Sequence, residues 1–413
     1  MPRPASKKSS KLRLPAAIAP SCELAARPAQ SRKKIAALCT TYYVRSHADN
    51  FVTRFLEGYW ILDRYHDSPA DVVSLYVDQI HRADISRRLS MAYGFPIVPG
   101  IRAALTLENG PLAVDGVLLI AEHGDYPVNE KNQKLFPRYE FFEQVVQVFR
   151  ETGRTVPVFV DKHLSYDWKK AKQMYDWSVE LGFPLMAGSS VPVAPRRPEI
   201  DLPLESDIEE VLCVGSAAQG DGLFFHLIEG AQCFAERRRG GETGIRAVQM
   251  IGGAAVWEEA RNGRWDRSLL DAALACRYLE GTPGRPEDVG QRPLACFLEY
   301  NDGFRATALS LGGGVVFDHI VSMRLKGRRQ HAAALYYLPA ENANYISPLV
   351  DSFARMVQTG ERDVPVERTL LTTGALAFVM DSGYQGQKRI ETPELAMCYR
   401  APEKSYFARQ QHS

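Results

Sequence analysis

The sequence predicts an α/β protein of two domains, in which a doubly wound parallel sheet precedes an α+β domain with a mainly antiparallel, open sheet. From Lys34 to Ala187, short apolar runs alternate with helical segments of about 10 to 15 residues, the pattern of a parallel sheet with crossover helices. After Pro195 the apolar runs are separated by short glycine-containing turns, and Asn301-Asp302-Gly303 is a strong hairpin signal. The predicted division is a disordered tail over 1–33, the first domain over 34–192, the second over 193–395, and a tail over 396–413.

The elements of the first domain follow from their apolar spacing. Phe51, Phe55, Tyr59 and Leu62 recur at close to helical spacing, and Gly94 is a common stop for a helix. Short continuous apolar runs indicate buried strands. We expect strands at 35–39, 71–77, 114–121, 156–160 and 184–187. We expect helices at 47–62, 83–93, 139–152 and 167–181.

The second half begins with a predicted helix at 222–236 and ends with two closing helices, which we expect to pack back on the first domain. Apolar runs between them predict the strands of the second sheet. These runs lie at 245–251, 292–300, 304–311, 314–323 and 333–338. The closing helices are predicted at 346–359 and 367–382.

Composition excludes several classes of protein. The chain has 413 residues with 50 Lys and Arg against 49 Asp and Glu, so no overall charge directs it to nucleic acid. No apolar run approaches the length of about 18 residues that a membrane span needs. Seven scattered cysteines, with no CxxC pair, argue against a disulfide framework and for a reducing compartment. We expect a cytoplasmic protein.

Four stretches, taken in order, resemble the Gfo/Idh/MocA oxidoreductase family over about residues 34–395. Ile35–Ala48 is similar to the first strand and phosphate loop of that family. Gly94-Phe-Pro-Ile followed by Ile101–Leu105 is similar to the G-x-P motif of the family and the leucine-containing segment after it. Asp161-Lys162-His163 is similar to the E-K-P element, and His226-Leu-Ile-Glu229 to the H-x-x-D motif. The resemblance implies an N-terminal Rossmann domain that binds NAD or NADP. It also implies a small carbohydrate-like substrate and a homo-oligomer formed through the open face of the second sheet.

The phosphate loop departs from the family pattern. The three glycine positions of GxGxxG correspond to Cys39, Thr41 and Val44, so a Cβ occupies each position where the backbone should approach a pyrophosphate. The loop could hold a dinucleotide in an altered pose, bind something smaller or bind nothing. Candidate cofactor-binding residues are Thr40, Thr41, Tyr42, Tyr43, Arg45, Ser46, Asp78, Glu122 and Lys162. Asp78, at the end of the second strand, is either a ribose-binding acid or a loop acid.

Lys162 is the strongest catalytic candidate, because the corresponding lysine of the family contacts the substrate hydroxyl that loses its proton. A lysine can exchange a proton with an alcohol oxygen during hydride transfer; the alternative is a surface lysine at a strand end. His226 and Glu229, at i and i+3, share one helix face, where the carboxylate could orient a proton-carrying imidazole. The aspartate that many members place four residues before the histidine is Gly222 here.

The third strand ends in Glu122-His123-Gly124-Asp125, which places three ionisable groups where ligands bind in doubly wound sheets. We interpret His123, Asp125 and Glu122 as a polar site, with a self-paired solvent loop as the alternative. Imidazole and carboxylate groups that we expect near one cleft could also hold a divalent metal. They are His123, Asp125, Asp161, His163, His226 and Glu229. No H-x-H or H-x-x-x-H spacing supports this, and no residue is assigned as a ligand.

Two functions remain open from the sequence. The first is NAD(P)-dependent hydride transfer on a sugar, polyol or related compound. The second is a divergent relative that has lost dinucleotide turnover, either a lyase, epimerase or hydrolase on a carbohydrate or a ligand-binding protein. The basic run Arg237-Arg-Arg could bind an anion or form a solvated helix end.

Overall fold

A computed structural model describes residues 32–108, 110–216, 221–327, 331–338 and 341–409. Five parallel strands form the first sheet, in the spatial order β4-β1-β5-β6-β7. They are β1 (Lys33–Cys39), β4 (Ala70–Val77), β5 (Gly116–Ile120), β6 (Val158–Asp161) and β7 (Leu185–Gly188). The predicted disordered tail over 1–33 lies outside the described residues except for Arg32 and Lys33, and Lys33 already belongs to β1.

Helices cover both faces of the first sheet. They are α1 (His47–Glu57), α2 (Ser86–Tyr93), α3 (Ile101–Thr106), α4 (Arg138–Thr152) and α5 (Trp168–Glu180). Apolar residues of α3, α4 and α5 pack on one face of the sheet. Phe51 and Phe55 of α1 pack on the other face beside Phe353, which comes from the C-terminal helix α10 (Ser347–Thr359). Helix α10 therefore contributes apolar residues to the core on this face of the first sheet.

The second sheet has eight strands in the order β15-β10-β11-β12-β9-β13-β14-β8. Its strands are β8 (Arg196–Arg197), β9 (Ile208–Ser216), β10 (Ile245–Gly252), β11 (Leu294–Tyr300), β12 (Arg305–Leu311), β13 (His319–Leu325), β14 (Ala332–Tyr336) and β15 (Ile390–Glu391). Every neighbouring pair is antiparallel except β12 and β9. The predicted combination of a parallel sheet with a mainly antiparallel one is confirmed.

Helices also cover both faces of the second sheet. They are α6 (Asp221–Ala235), α7 (Ala255–Arg261), α8 (Arg267–Ala275), α9 (Pro286–Val289) and α11 (Val366–Tyr384). One face packs against α6 and α11. The other face, which the family resemblance leaves open for a partner subunit, packs against Trp257, Trp265 and Leu269 of the α7–α8 region. A homo-oligomer stays a prediction, and it would need a surface other than this covered part of the sheet.

The structure corrects several predicted elements. The helix expected over 47–62 ends at Glu57, because Gly58 adopts a φ of 77° that other residues rarely take. Residues after it form a two-stranded hairpin, β2 (Tyr59–Ile61) and β3 (Arg64–His66). Strand β9 was not predicted, yet it lies between β12 and β13. Gly312–Gly314 therefore connects two strands that are not neighbours, whereas Asn301-Asp302-Gly303 does form the expected hairpin between β11 and β12.

The described part of the C-terminal segment is packed on the protein. The Arg237 guanidinium donates hydrogen bonds to the carbonyl oxygens of Pro402 (2.9 Å) and Glu403 (2.7 Å). The Ala408 amide donates to the Val193 carbonyl at 2.9 Å. The predicted domain boundaries, including the tail over 396–413, stay predictions; residues 410–413 lie outside the described residues. The six described cysteines are free thiols.

Candidate functional site

A cavity of about 940 Å³ opens at the carboxyl ends of the first sheet. Strand order reverses between β1 and β5, and crevices outside such a switch point are where doubly wound sheets bind ligands. The cavity brings together predicted site residues from the loops after β1, β5 and β6 and from the start of α6. These are Thr41, Tyr43, Glu122, His123, Asp125, Lys162 and His226.

A charged cluster of Glu122, Lys162 and Arg138 lies at this cavity. The Lys162 ammonium donates to Glu122 Oε1 at 2.7 Å, and the Arg138 guanidinium pairs with Glu122 Oε2. The Arg138 side chain is only 1% exposed. Burial raises the pKa of Glu122, but the charges of Lys162 and Arg138 outweigh it and hold the pKa well below its usual range. Glu122 is therefore a carboxylate that holds Lys162 in place as a cation.

Glu122 also occupies the region toward which a side chain at position 222 would point. A Cβ added to Gly222 would lie 3.9 Å from Lys162 Nζ and 4.0 Å from Glu122 Oε1. The aspartate that many members of the resembled family carry at this position is absent here. The carboxylate beside the lysine comes instead from the end of β5.

Arg138 was not predicted as a site residue. It is the first residue of α4 and directly follows Pro137. Besides Glu122, it donates to the Asp161 carbonyl oxygen at 3.2 Å and contacts His163 Nε2 at 3.2 Å. A cation at the N-terminus of a helix opposes the helix dipole. That local conflict is the sequence signal that could have indicated a carboxylate partner.

His47 was also missed, although it lies within the Ile35–Ala48 stretch. Its Nδ1 lies 2.6 Å from Oδ2 of the buried Asp161, so the first residue of α1 is bound to the end of β6. The ring of His47 meets that of His123 edge-on, with centroids 5.2 Å apart. The side chain of Asp161 thus anchors the phosphate-loop helix beside Lys162.

Four buried or partly buried histidines, of which His123 and His226 line the cavity, are held in the neutral form. Burial lowers the pKa of His123 to about 4, with the nearby His47 adding to the shift, and lowers that of His319 to about 4. Burial, followed by the charge of Lys162, takes the pKa of His226 well below its usual value. For His163 the causes are burial and then Arg138. At pH 7 these imidazoles are therefore unprotonated.

These histidines predict a loss of stability in mild acid. In the unfolded chain a histidine has a pKa near 6.5, so between pH 6.5 and about 4 the unfolded state binds more protons than the folded state. We expect the free energy of unfolding to decrease as the pH falls through this window, by up to about 1.4 kcal/mol per pH unit for each such histidine. Urea unfolding at pH 7.5, 6.5 and 5.5 measures this slope. A free energy that stays level over this range would contradict the neutral assignment.

The backbone at the cavity is strained at two site residues. Lys162 has a φ of 64° and His123 a φ of 69°, both in the left-handed region that non-glycine residues rarely adopt. Such conformations cost on the order of 1–3 kcal/mol each and cluster at functional sites. The Lys162 conformation is held by paired backbone hydrogen bonds with Gly188, of 3.1 and 3.0 Å.

The phosphate loop is closed by its own side chains. The amides of Tyr43 and Asp49 donate to Ser46 Oγ at 3.1 and 3.2 Å, and the Arg45 amide donates to Asp49 Oδ2 at 2.8 Å. Thr40 donates its hydroxyl to the Glu122 carbonyl at 2.7 Å. The buried Tyr42 shares a hydrogen bond of 2.8 Å with the Thr53 hydroxyl. Among the predicted loop residues, only Thr41 and Tyr43 line the cavity.

Three other predicted residues have different surroundings. Both carboxylate oxygens of Asp78 accept tyrosine hydroxyls, from Tyr76 at 2.7 Å and Tyr126 at 2.6 Å, and Asp78 does not line the cavity. Asp125 lies at the cavity rim, where its backbone pairs with the Gln79 side chain. Glu229 accepts from the Ser189 amide at 2.7 Å, and burial raises its pKa to about 7. It does not line the cavity with His226.

The basic run at Arg237–Arg239 is held by contacts within the protein. Arg237 and Arg238 are buried, and Arg238 is paired with Asp302 at 2.7 Å; Arg239 is exposed and pairs with Asp207. The run is therefore neither a free anion site nor wholly a solvated helix end.

Among the described residues, no group of three or more His, Cys, Asp or Glu side chains is arranged to hold a metal ion. None of the helices in this part of the chain has the length and apolarity to cross a membrane.

The described fold is shared with solved structures of dehydrogenases. GenD2 from gentamicin A biosynthesis, in complex with NAD, is 13% identical with a TM-score of 0.54, covering 87% of this chain and 96% of that one. Apo scyllo-inositol dehydrogenase from Lactobacillus casei is 11% identical with a TM-score of 0.51, covering 87% and 99%. UDP-N-acetylglucosamine 3-dehydrogenase GnnA from Acidithiobacillus ferrooxidans is 10% identical with a TM-score of 0.50, covering 85% and 97%.

These similarities establish the fold. The chain has the two-domain fold of these dehydrogenases, which is the fold that the Gfo/Idh/MocA resemblance implies. No protein-family model matches the sequence, and no curated protein sequence matches it either.

Proposed function

We propose that this chain is an oxidoreductase that transfers a hydride between the nicotinamide of NAD or NADP and a hydroxyl-bearing carbon of a sugar, polyol or related compound. The observation that carries the proposal is the meeting of the Lys162 ammonium and the neutral His226 imidazole at one cavity outside the switch point. Lys162 can donate a hydrogen bond to a substrate oxygen, and the unpartnered Nδ1 of His226 can take the proton that the hydroxyl loses. The NAD complex of GenD2 supports a nicotinamide cofactor for this fold.

The cavity residues fit the cofactor at its nicotinamide end. The cavity extends from Gln79, after β4, to Lys162 and His226, which corresponds to the crevice that dinucleotides occupy in Rossmann folds. Within the described residues, Thr41 Oγ1, His123 Nε2 and His226 Nδ1 are buried polar atoms with no hydrogen-bond partner in the protein. Buried polar atoms of this kind are satisfied by a ligand or by water. Thr41, Gln79 and His123 are the residues that would contact the cofactor.

The side chains of the site have separate roles. The bound nicotinamide would supply the hydride acceptor or donor. Lys162, held as a cation by Glu122, donates a hydrogen bond to the substrate oxygen and stabilises negative charge that develops on it. His226 accepts the hydroxyl proton at Nδ1, which is unpartnered in the described protein. In the reverse direction the same nitrogen returns the proton to the substrate oxygen.

A second candidate function is supported by the phosphate loop. The side chains of Asp49 and Ser46 accept the amides of Arg45 and Asp49, beside the helix start where a pyrophosphate would bind in the resembled family. A lyase, epimerase or hydrolase that acts on a carbohydrate needs no dinucleotide, and Lys162 and His226 could serve it as cation and base. This alternative predicts turnover of a carbohydrate without any dependence on added nucleotide.

Binding and turnover measurements distinguish the two functions. Calorimetric titration of the purified chain with NAD⁺, NADH, NADP⁺ and NADPH is expected to show saturable binding of at least one of them. The bound nucleotide is then used with a panel of sugars and polyols, and formation of the reduced nucleotide is followed by absorbance. Absence of binding by all four nucleotides up to millimolar concentration would reject the oxidoreductase and favour the second candidate.

A further inference from the structure

Side-chain oxygens of Ser46 and Asp49 accept three amides at and just before the start of α1. The amides of Tyr43, Arg45 and Asp49 already donate to Ser46 or Asp49 side-chain oxygens. The Asp49 carboxylate lies in the first turn of α1, where the helix dipole favours negative charge. A diphosphate placed there would have to displace these hydrogen bonds and would face a fixed negative charge. The usual anchor for the middle of a dinucleotide is therefore partly occupied by side chains of the protein.

Residues 128–134 form a loop that lines one side of the cavity. Hydrogen bonds and an ion pair hold this loop in place. The Asn129 side-chain oxygen accepts the amides of Lys131 (3.0 Å) and Gln133 (2.9 Å). The buried Gln133 side chain donates to the Tyr166 carbonyl at 2.9 Å, and Lys131 pairs with Asp381. These contacts hold Lys134 at the cavity.

The loop after β4 contributes a second cation to the same cavity. Arg82 lines the cavity together with Lys134. The two loops are joined by a reciprocal pair, in which the Gln79 side chain accepts the Asp125 amide at 2.8 Å and donates to the Asp125 carbonyl at 3.2 Å. In the part of the chain that the structure describes, neither Arg82 nor Lys134 forms an ion pair, and Lys134 lies 5.6 Å from the centre of the Phe136 ring.

We infer that the diphosphate of the dinucleotide binds between Arg82 and Lys134, rather than at the start of α1. This inference rests on the proposed function. An arginine offers a planar fork that matches phosphate oxygens, and a lysine adds a point charge. Both cations belong to the cavity that contains Lys162 and His226, so one ligand can reach the cations and the proposed catalytic groups. With the diphosphate at that place, the absence of glycine at Cys39, Thr41 and Val44 does not prevent the chain from binding a nucleotide.

The test compares nucleotide affinities of matched variants. Arg82→Gln and Lys134→Gln remove the cations, while Arg87→Gln and Lys169→Gln make the same changes at exposed positions outside the cavity. Calorimetry uses the nucleotide that the wild type binds most tightly, and ADP-ribose as a probe that carries the diphosphate without the nicotinamide. Circular dichroism and thermal unfolding verify that each variant is folded.

The expected result is an increase in Kd of about 10- to 100-fold for Arg82→Gln and for Lys134→Gln with both probes, and no change for the two controls. Asp49→Asn, which removes the charge at α1 but keeps a capping group, should leave Kd unchanged. Tighter binding by Asp49→Asn, with wild-type affinity in the two cavity variants, would place the diphosphate at α1 and overturn the inference alone. If the wild type binds neither probe, the proposed function and this inference are both rejected.

Discussion

Replacement of Lys162 by methionine is expected to lower kcat/KM for hydride transfer by about 10²- to 10³-fold, the range found when one hydrogen-bond donor that stabilises developing negative charge is removed. Methionine keeps the length of the side chain and removes the ammonium that donates to Glu122 Oε1 at 2.7 Å. The oxygen of the substrate then loses its hydrogen-bond donor and the cation that stabilises its negative charge. Steady-state kinetics at saturating nucleotide measure the effect.

Two controls separate this role from a general effect on the fold. Lys169→Met makes the same change at an exposed position of α5 and should leave kcat/KM unchanged. Nucleotide affinity measured by calorimetry should change little in Lys162→Met, because the cations assigned to the diphosphate are Arg82 and Lys134. Wild-type kcat/KM in Lys162→Met would show that the lysine is only a structural partner of Glu122.

The first sheet could be predicted from the sequence because four of its five strands, β1, β5, β6 and β7, are wholly or largely buried. All five residues of β5 are buried, and a strand buried on both faces gives a continuous apolar run. Strand β9 was missed because Glu209 and Glu210 interrupt its apolar pattern. Glu210 is nevertheless buried, since Arg305 and Arg324 from the two neighbouring strands approach its carboxylate to 3.4 and 3.1 Å. Those partners lie far along the chain, so local sequence could not indicate them.

The same limit explains which site residues could be predicted. Lys162 and His226 were indicated by the resemblance of Asp161-Lys162-His163 and His226-Leu-Ile-Glu229 to motifs of the family, and both line the cavity. Glu229 shares a helix face with His226, but its carboxylate binds the Ser189 amide instead. Arg138 and His47 depend on pairs with Glu122 and Asp161 that only the folded chain brings together. The spacing of apolar residues predicts where helices and strands lie. The partners of buried charged groups, in contrast, depend on tertiary contacts that the local sequence does not reveal.

The second large effect concerns the pair between Glu122 and Arg138. Glu122→Leu is expected to lower the free energy of unfolding by about 3–5 kcal/mol, because it leaves the buried Arg138 guanidinium without its carboxylate. Protonation of Glu122 is also expected to lower the free energy of unfolding of the wild type at low pH. The pKa of Glu122 is depressed in the folded protein, so its contribution is complete above the unfolded value near 4.3 and is lost as the pH falls through the folded value. Urea unfolding at pH 7.5 measures the effect of the substitution.

The double variant Glu122→Leu/Arg138→Met distinguishes stability from function. Replacement of both members of a buried ion pair by apolar residues is often neutral for stability, so we expect the double variant to recover most of the lost free energy. Activity should not recover, because Lys162 still lacks the carboxylate that holds its ammonium at the cavity. A double variant as stable and as active as the wild type would show that the carboxylate has no part in positioning Lys162. A double variant that is stable but inactive would show that Glu122 positions Lys162. It would also show that Arg138 serves to compensate the charge of the buried Glu122 carboxylate.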